Sequence, residues 1–157
     1  MLRLQRCRIE FMSSAPEMRD LAQRLLRYEA DAGNPSEPVG SATLRVYQKL
    51  RQSLGELTGT AGFHSLASRA LTLARSEAPS LSAVHLGADG NLEGMRAIEP
   101  SIKAEQDRVH EGGVIFISRL LGLLLIFLGE ALTLSLLRDA WPGAALDNRK
   151  SGNGRES

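Results

Sequence analysis

The stretch EGGVIFISRLLGLLLIFLGEALTLSLLRDAWP, from Glu111 to Pro142, decides the fold, because no other part of the chain approaches its density of apolar residues. From residue 114 to 137, sixteen of twenty-four residues are Val, Ile, Leu or Phe. Such a stretch forms either the buried central helix of a bundle or a helix that crosses a membrane. We expect the rest of the chain to pack around it.

The energetics of membrane insertion do not settle this choice. The apolar residues of the stretch contribute roughly 5 to 10 kcal/mol toward insertion, while Arg119 and Glu130 near the bilayer centre cost about 5 to 7 kcal/mol together. The longest run without a charge is ten residues, 120–129, whereas a span needs about 20 predominantly apolar residues. The run length favours a buried helix of a soluble bundle, and a single span within 113–137 is the alternative.

One side of this predicted helix carries a polar seam. At 100° per residue, Arg119 and Glu130 fall within about 20° of each other around the axis, yet they lie about 16 Å apart along it. Gly122, Gly129 and Thr133 lie close to the same line. Each of the two charges therefore needs a partner from another segment if it is buried. These five residues are the candidate site.

The chain before this stretch predicts amphipathic helices and one hairpin. Residues that favour helix N-termini and apolar residues at helical spacing predict three helices. A change from this spacing to that of strands, around an Asp-Gly turn, predicts the hairpin. The predicted elements are helices from Ser14 to about Ala30, from Ser41 or Thr43 to Gly59, and from Thr60 to Pro79; a hairpin within 81–94 that turns at Asp89-Gly90-Asn91; and a helix from Ser101 that bends at Gly112-Gly113 and continues into the apolar stretch.

The predicted fold class is mainly α, a bundle of about four helices around an apolar C-terminal helix, with one small β-hairpin. A single helical domain spans residues 13–142. Residues 1–12 form a flexible basic arm, and residues 143–157 form a small, polar tail that we expect to be disordered. A chain of 157 residues suits one domain with a sizeable core.

Composition argues against several classes of function. The formal net charge is +1 and aromatic residues make up 4% of the chain, so neither a basic face nor stacking aromatics indicate nucleic-acid binding. A single cysteine, Cys7, excludes an internal disulfide and suits a reducing cytoplasm. No apolar run follows the basic N-terminal residues, so no signal peptide is predicted.

Motifs of catalysis and metal binding are also missing from the sequence. The three histidines, His64, His85 and His110, lie too far apart in sequence to match a zinc-ligand spacing. Asp89 to Gly94 resembles the first half of a calcium loop, but Pro100 stands where the last carboxylate ligand belongs. No nucleotide, phosphate or nucleophile motif occurs. We therefore predict no enzyme activity, no cofactor and no metal.

Two segments, AGFHSLASRALTLA (Ala61 to Ala74) and GEALTLSLLRDAWP (Gly129 to Pro142), are similar to a group of small bacterial proteins of unknown function. The resemblance covers roughly Met18 to Pro142. It implies no activity, cofactor or catalytic residue.

The expected function is therefore that of a non-enzymatic, cytoplasmic interaction or regulatory module. It is expected to self-associate as a homo-oligomer or to bind a protein partner, because so apolar a helix exceeds what three short helices can cover. The alternative is a single-pass protein of the inner membrane with a helical cytoplasmic head. A small-molecule pocket along the polar seam is a third reading.

Overall fold

The protein is described by a computed structural model that covers residues 14–34, 36–38, 40–94 and 103–144. These residues form five α-helices, a short 3-10 turn and a two-stranded hairpin. The elements in chain order are α1 Ser14–Ala32, α2 Ser41–Thr58, α3 Thr60–Glu77, the 3-10 turn Pro79–Leu81, β1 His85–Leu86, β2 Leu92–Glu93, α4 Lys103–Leu128 and α5 Glu130–Ala140. The predicted mainly α fold with one small hairpin is confirmed.

Helix α4 lies at the centre of the bundle, as its apolar density predicts. It packs most extensively against α3 and α1. Helix α3 contributes the small side chains of Ala67, Ala70 and Ala74, all fully buried, which allow the two helices to approach closely. The buried residues of α4 are Val109, Gly112, Gly113, Val114, Ile115, Phe116, Ile117, Leu120, Leu121 and Leu124.

Helix α4 continues without a break through Gly112 and Gly113, so the bend predicted there does not interrupt the helix. Both glycines are points of close contact with other elements. A Cβ on Gly112 would lie 2.7 Å from Oγ of Ser80, and a Cβ on Gly113 would collide with Oγ1 of Thr43 at the start of α2. The lack of a side chain therefore lets α2 and the 3-10 turn approach the α4 backbone.

The apolar stretch is not one helix, and this corrects the prediction of an unbroken helix through residue 137. Helix α4 ends at Leu128, and Gly129 adopts φ 93° and ψ 159°, a conformation that is open almost only to glycine. Helix α5 then folds back against α2 and α4. The buried hydroxyl of Thr133 donates a hydrogen bond to the carbonyl oxygen of Leu124, 3.2 Å away, which ties α5 to the last turns of α4.

The hairpin lies against α2, as a two-stranded ribbon of this size requires. Its register pairs His85 with Glu93 and Leu86 with Leu92. The hydroxyl of Tyr47 on α2 donates to the carbonyl oxygen of Gly90 at the turn, 2.7 Å away. The predicted hairpin around the Asp-Gly turn is confirmed.

The described helices share one hydrophobic core. The predicted basic arm, residues 1–12, lies outside the described residues, and so does the predicted tail beyond Gly143 and Ala144. The arm and the tail stay predictions.

Candidate functional site

The first charge of the predicted seam, Arg119, pairs with a residue of a neighbouring helix. Its guanidinium contacts the carboxylate of Glu77 in the last turn of α3. Both side chains are substantially exposed, 43% for Arg119 and 38% for Glu77, so this is a surface ion pair that contributes about 1 kcal/mol or less. The sequence predicts a partner from another segment if Arg119 is buried; Arg119 is exposed, and Glu77 is its partner at the surface.

Gly129, Glu130 and Thr133 do not continue the helix face of Arg119 and Gly122, because Gly129 divides the stretch between two helices. Gly122 is half-buried on α4, with open space where a Cβ would stand. Glu130 begins α5 and is exposed, whereas Thr133, one turn further on, is buried. The seam derived from one continuous helix is therefore wrong as a geometric unit. A role for its five residues stays a prediction.

An exposed apolar surface lies where the seam is interrupted. We call Ile126, Phe127 and Leu132 the apolar corner; their exposed fractions are 69%, 60% and 40%. They stand on either side of Gly129, at the end of α4 and the start of α5. Two other large apolar side chains of the described residues are exposed, Leu57 at the end of α2 and Leu73 on α3. Exposed apolar residues that cluster mark contact surfaces more often than single ones do.

A second cluster, which the sequence analysis missed, is built around a buried carboxylate. Glu29 on α1 is 3% exposed. Its Oε1 accepts a hydrogen bond from Nε of Arg45 at 3.2 Å, and its Oε2 accepts from Nζ of Lys49 at 2.6 Å. The indole N–H of Trp141 also donates to Oε2, 2.8 Å away. We call these four residues the Glu29 cluster.

The electrostatics of the Glu29 cluster keep the carboxylate ionised. Burial raises the pKa of Glu29, but the hydrogen bonds from Lys49 and Trp141, the charge of Lys49 and the hydrogen bond from Arg45 outweigh burial and hold the pKa below its ordinary value. The ammonium of Lys49 also lies 5.6 Å from the centre of the Trp141 ring, a favourable cation–π arrangement.

The Glu29 cluster joins three parts of the chain. It links α1, α2 and the residue that follows α5. With every oxygen of the carboxylate bonded, its chemistry is that of a structural clamp that fixes the end of α5 to the bundle. Two signals in the sequence point to it: Glu29 continues the apolar stripe of Leu25 and Leu26 at helical spacing, and Trp141 is the single tryptophan.

A shallow cavity of about 300 Å³ lies between the end of α2 and the start of α3. Its lining combines polar side chains with one aromatic ring and contains no histidine or cysteine. The lining residues are Arg51, Gln52, Gly55, Glu56, Thr60 and Phe63. It does not lie along the seam, so it gives no support to a pocket there.

Histidines and carboxylates do not converge on a metal site in the part of the chain that the structure describes, where no group of three or more His, Cys, Asp or Glu could hold an ion. His85 lies 3.0 Å from Oε1 of Glu93 across the hairpin. The predicted absence of enzyme activity, metal and cofactor concerns the whole chain and stays a prediction.

Among the described residues, α4 is the one helix that is long and apolar enough to cross a membrane. Half of its most apolar window is buried in the bundle. The core helix of a soluble protein meets the same criterion, so the observation is compatible with both readings of the stretch.

The described chain is thus a helical bundle with a buried clamp and an exposed apolar corner. Comparison with protein-family models, with curated proteins and with solved structures finds no match for it. This result is consistent with the resemblance to proteins of unknown function.

Proposed function

We propose that this protein is a non-enzymatic, cytoplasmic interaction or regulatory module that self-associates through the apolar corner. The observation that carries the proposal is the exposure of Ile126, Phe127 and Leu132 on both sides of Gly129. Full burial of such a side chain from complete exposure contributes about 1.5 to 3 kcal/mol, and burial of the 40% to 69% of each that is still exposed contributes a corresponding part of this. Burial of three from each of two copies is therefore a substantial driving force for association.

A second copy of the chain is the partner that these features support best. A two-fold interface pairs the same surface on both copies, and a corner built from aliphatic and aromatic side chains is complementary to itself. The formal net charge of +1 causes little repulsion between copies. The surface ion pair between Arg119 and Glu77 lies further along α4 and supplies charges of both signs at the rim of such an interface.

Light scattering over a wide range of protein concentration tests the proposal. The wild-type chain is expected to shift from monomer to dimer mass as the concentration rises. Ile126→Glu should weaken the association at least about tenfold, because it places a charge in the buried centre of the interface. Leu57→Glu is the matched control, since Leu57 is 52% exposed but lies at the end of α2. A monomer mass at every concentration, or equal effects of the two variants, overturns the proposal.

Attachment to the inner membrane is the second candidate, and the length and apolar character of α4 favour it. To span a bilayer, α4 would have to leave the bundle and expose the faces of α1 and α3 that it covers. The burial of its middle turns therefore supports the soluble reading. Flotation of the purified protein with phospholipid vesicles separates the two: wild-type protein that stays at the bottom of the gradient contradicts attachment, and protein that floats supports it.

A further inference from the structure

Helix α5 is connected to α4 through a single residue, which makes the connection a hinge. Gly129 is held at φ 93°, and a Cβ placed on it would have no neighbour within 4 Å. The space around the hinge is therefore open. If Gly129 instead adopted helical angles, α4 and α5 would join into one helix from Lys103 to Ala140, as the apolar pattern of the sequence favours.

The contacts that hold α5 in place do not depend on its belonging to the same chain. Leu137 and Trp141 are buried, and the indole of Trp141 donates to Glu29 on α1, 112 residues away in sequence. Any copy of α5 that reached this position would make the same contacts. Exchange of an identical element between two copies keeps these contacts and adds new ones, so it is a low-cost route to a dimer.

We infer that the self-associated form is a dimer in which the two copies exchange α5. Trp141 of one copy then donates its indole N–H to Glu29 of the other. This inference rests on the proposed self-association and specifies how it occurs. The folded-back chain is the monomer, and the opening of the Gly129 hinge is the step that precedes dimerisation.

Substitution at the hinge tests the inference first. Gly129→Ala disfavours the folded-back angles, which cost a side-chain-bearing residue the equivalent of about tenfold or more in population, and it favours the straight helix. The dimer should therefore become at least about tenfold tighter by light scattering. Insertion of Gly-Ser-Gly after Gly129 interrupts the straight helix and should weaken the dimer. Opposite or equal effects of the two changes overturn the exchange.

Isotope-filtered NMR on a mixture of labelled and unlabelled wild-type chains shows directly which copy contributes the α5 that packs against Glu29. Exchange predicts a cross-peak between the Trp141 indole proton of the labelled copy and Glu29 or Lys49 side-chain protons of the unlabelled copy, at concentrations where the dimer forms. A dimer whose Trp141 contacts are all within one chain overturns the exchange but leaves self-association standing. If wild type and Gly129→Ala are both monomers at every concentration, the exchange and the proposed self-association are both contradicted.

Discussion

The indole N–H of Trp141 donates a hydrogen bond to Oε2 of Glu29 at 2.8 Å, and this contact joins the residue after the last helix to the end of the first. Both groups are buried, and the same carboxylate is held by Lys49 and Arg45. The contact fixes the end of α5 against the bundle. Because a hydrogen bond to a buried charge is stronger than one between neutral groups, the stability of the folded-back form should depend on it.

Trp141→Phe tests the strength of this bond. The variant removes the indole N–H and keeps much of the aromatic volume, so we expect the free energy of unfolding to fall by about 1.5 to 3 kcal/mol. Urea unfolding followed by circular dichroism measures it, since the variant lacks the single tryptophan. Trp141→Ala, which also leaves a cavity, should lose about 3 to 5 kcal/mol. If Trp141→Phe matches the wild type, the bond does not contribute to stability.

The stabilisation from Glu29 should depend on pH in a defined direction. Because the folded state lowers the pKa of Glu29, the ionised carboxylate stabilises the fold above the unfolded-state value of about 4.3. This contribution is lost as the pH falls through the lower folded-state pKa. Glu29→Gln should therefore destabilise the protein by about 2 to 3 kcal/mol near pH 7, and the difference from wild type should shrink in acid.

Denaturant melts of wild type and Glu29→Gln across the acidic range measure this dependence. Glu56→Gln is the matched control because Glu56 is exposed on α2, and its effect should stay within about 0.5 kcal/mol. A difference between wild type and Glu29→Gln that grows as the pH falls would show that the carboxylate is not stabilised by folding.

Glu130 and Thr133, which the sequence places on one seam, should respond differently to substitution. Glu130 is exposed, so Glu130→Leu is expected to change the free energy of unfolding by no more than about 0.5 kcal/mol. Thr133 is buried and donates to Leu124, so Thr133→Val should cost about 1 to 2 kcal/mol. Equal effects in denaturant melts would favour the continuous helix over the hinge at Gly129.

Two glycines of α4 should also differ sharply. A Cβ on Gly113 would collide with Thr43, whereas a Cβ on Gly122 meets nothing within 4 Å. Gly113→Ala is therefore expected to lose about 1 to 3 kcal/mol by overpacking, and Gly122→Ala to gain about 0.5 to 1 kcal/mol through helix propensity. Thermal melts of both variants measure the contrast. A tolerated Gly113→Ala would contradict the close approach of α2 to α4.

Much of the fold is predictable from the sequence because it depends on local signals. The extents of α1, α2 and α3 follow from apolar periodicity, and the Asp-Gly turn identifies the hairpin. The predicted caps of α2 and α3 are wrong, because Gly40 and Gly59 take the N-cap positions and no side chain caps either helix. The small face of α3 and the apolar density of α4 identify the two partners that pack most closely. These features depend on residues that are close in sequence, so they can be predicted without the tertiary contacts.

The break at Gly129 is not predictable in the same way. An isolated glycine costs a helix only about 1 kcal/mol, so a continuous helix remains the favoured local reading. The break is decided by tertiary contacts, since within one chain Leu137 and Trp141 become buried only if α5 folds back. The partners of Glu29 are equally non-local, although a charge on the apolar stripe of α1 is a signal that a buried ion pair exists. Arg119 and Glu77 illustrate the same limit, since the sequence does not identify the residue of α3 that pairs with Arg119.

Fractionation of cells that express the chain, with an alkaline carbonate wash of the membranes, tests most directly whether the apolar stretch is the core of a soluble protein. We expect folded protein in the soluble fraction. Recovery of folded protein only in the carbonate-resistant pellet would contradict this and would assign α4 to the membrane.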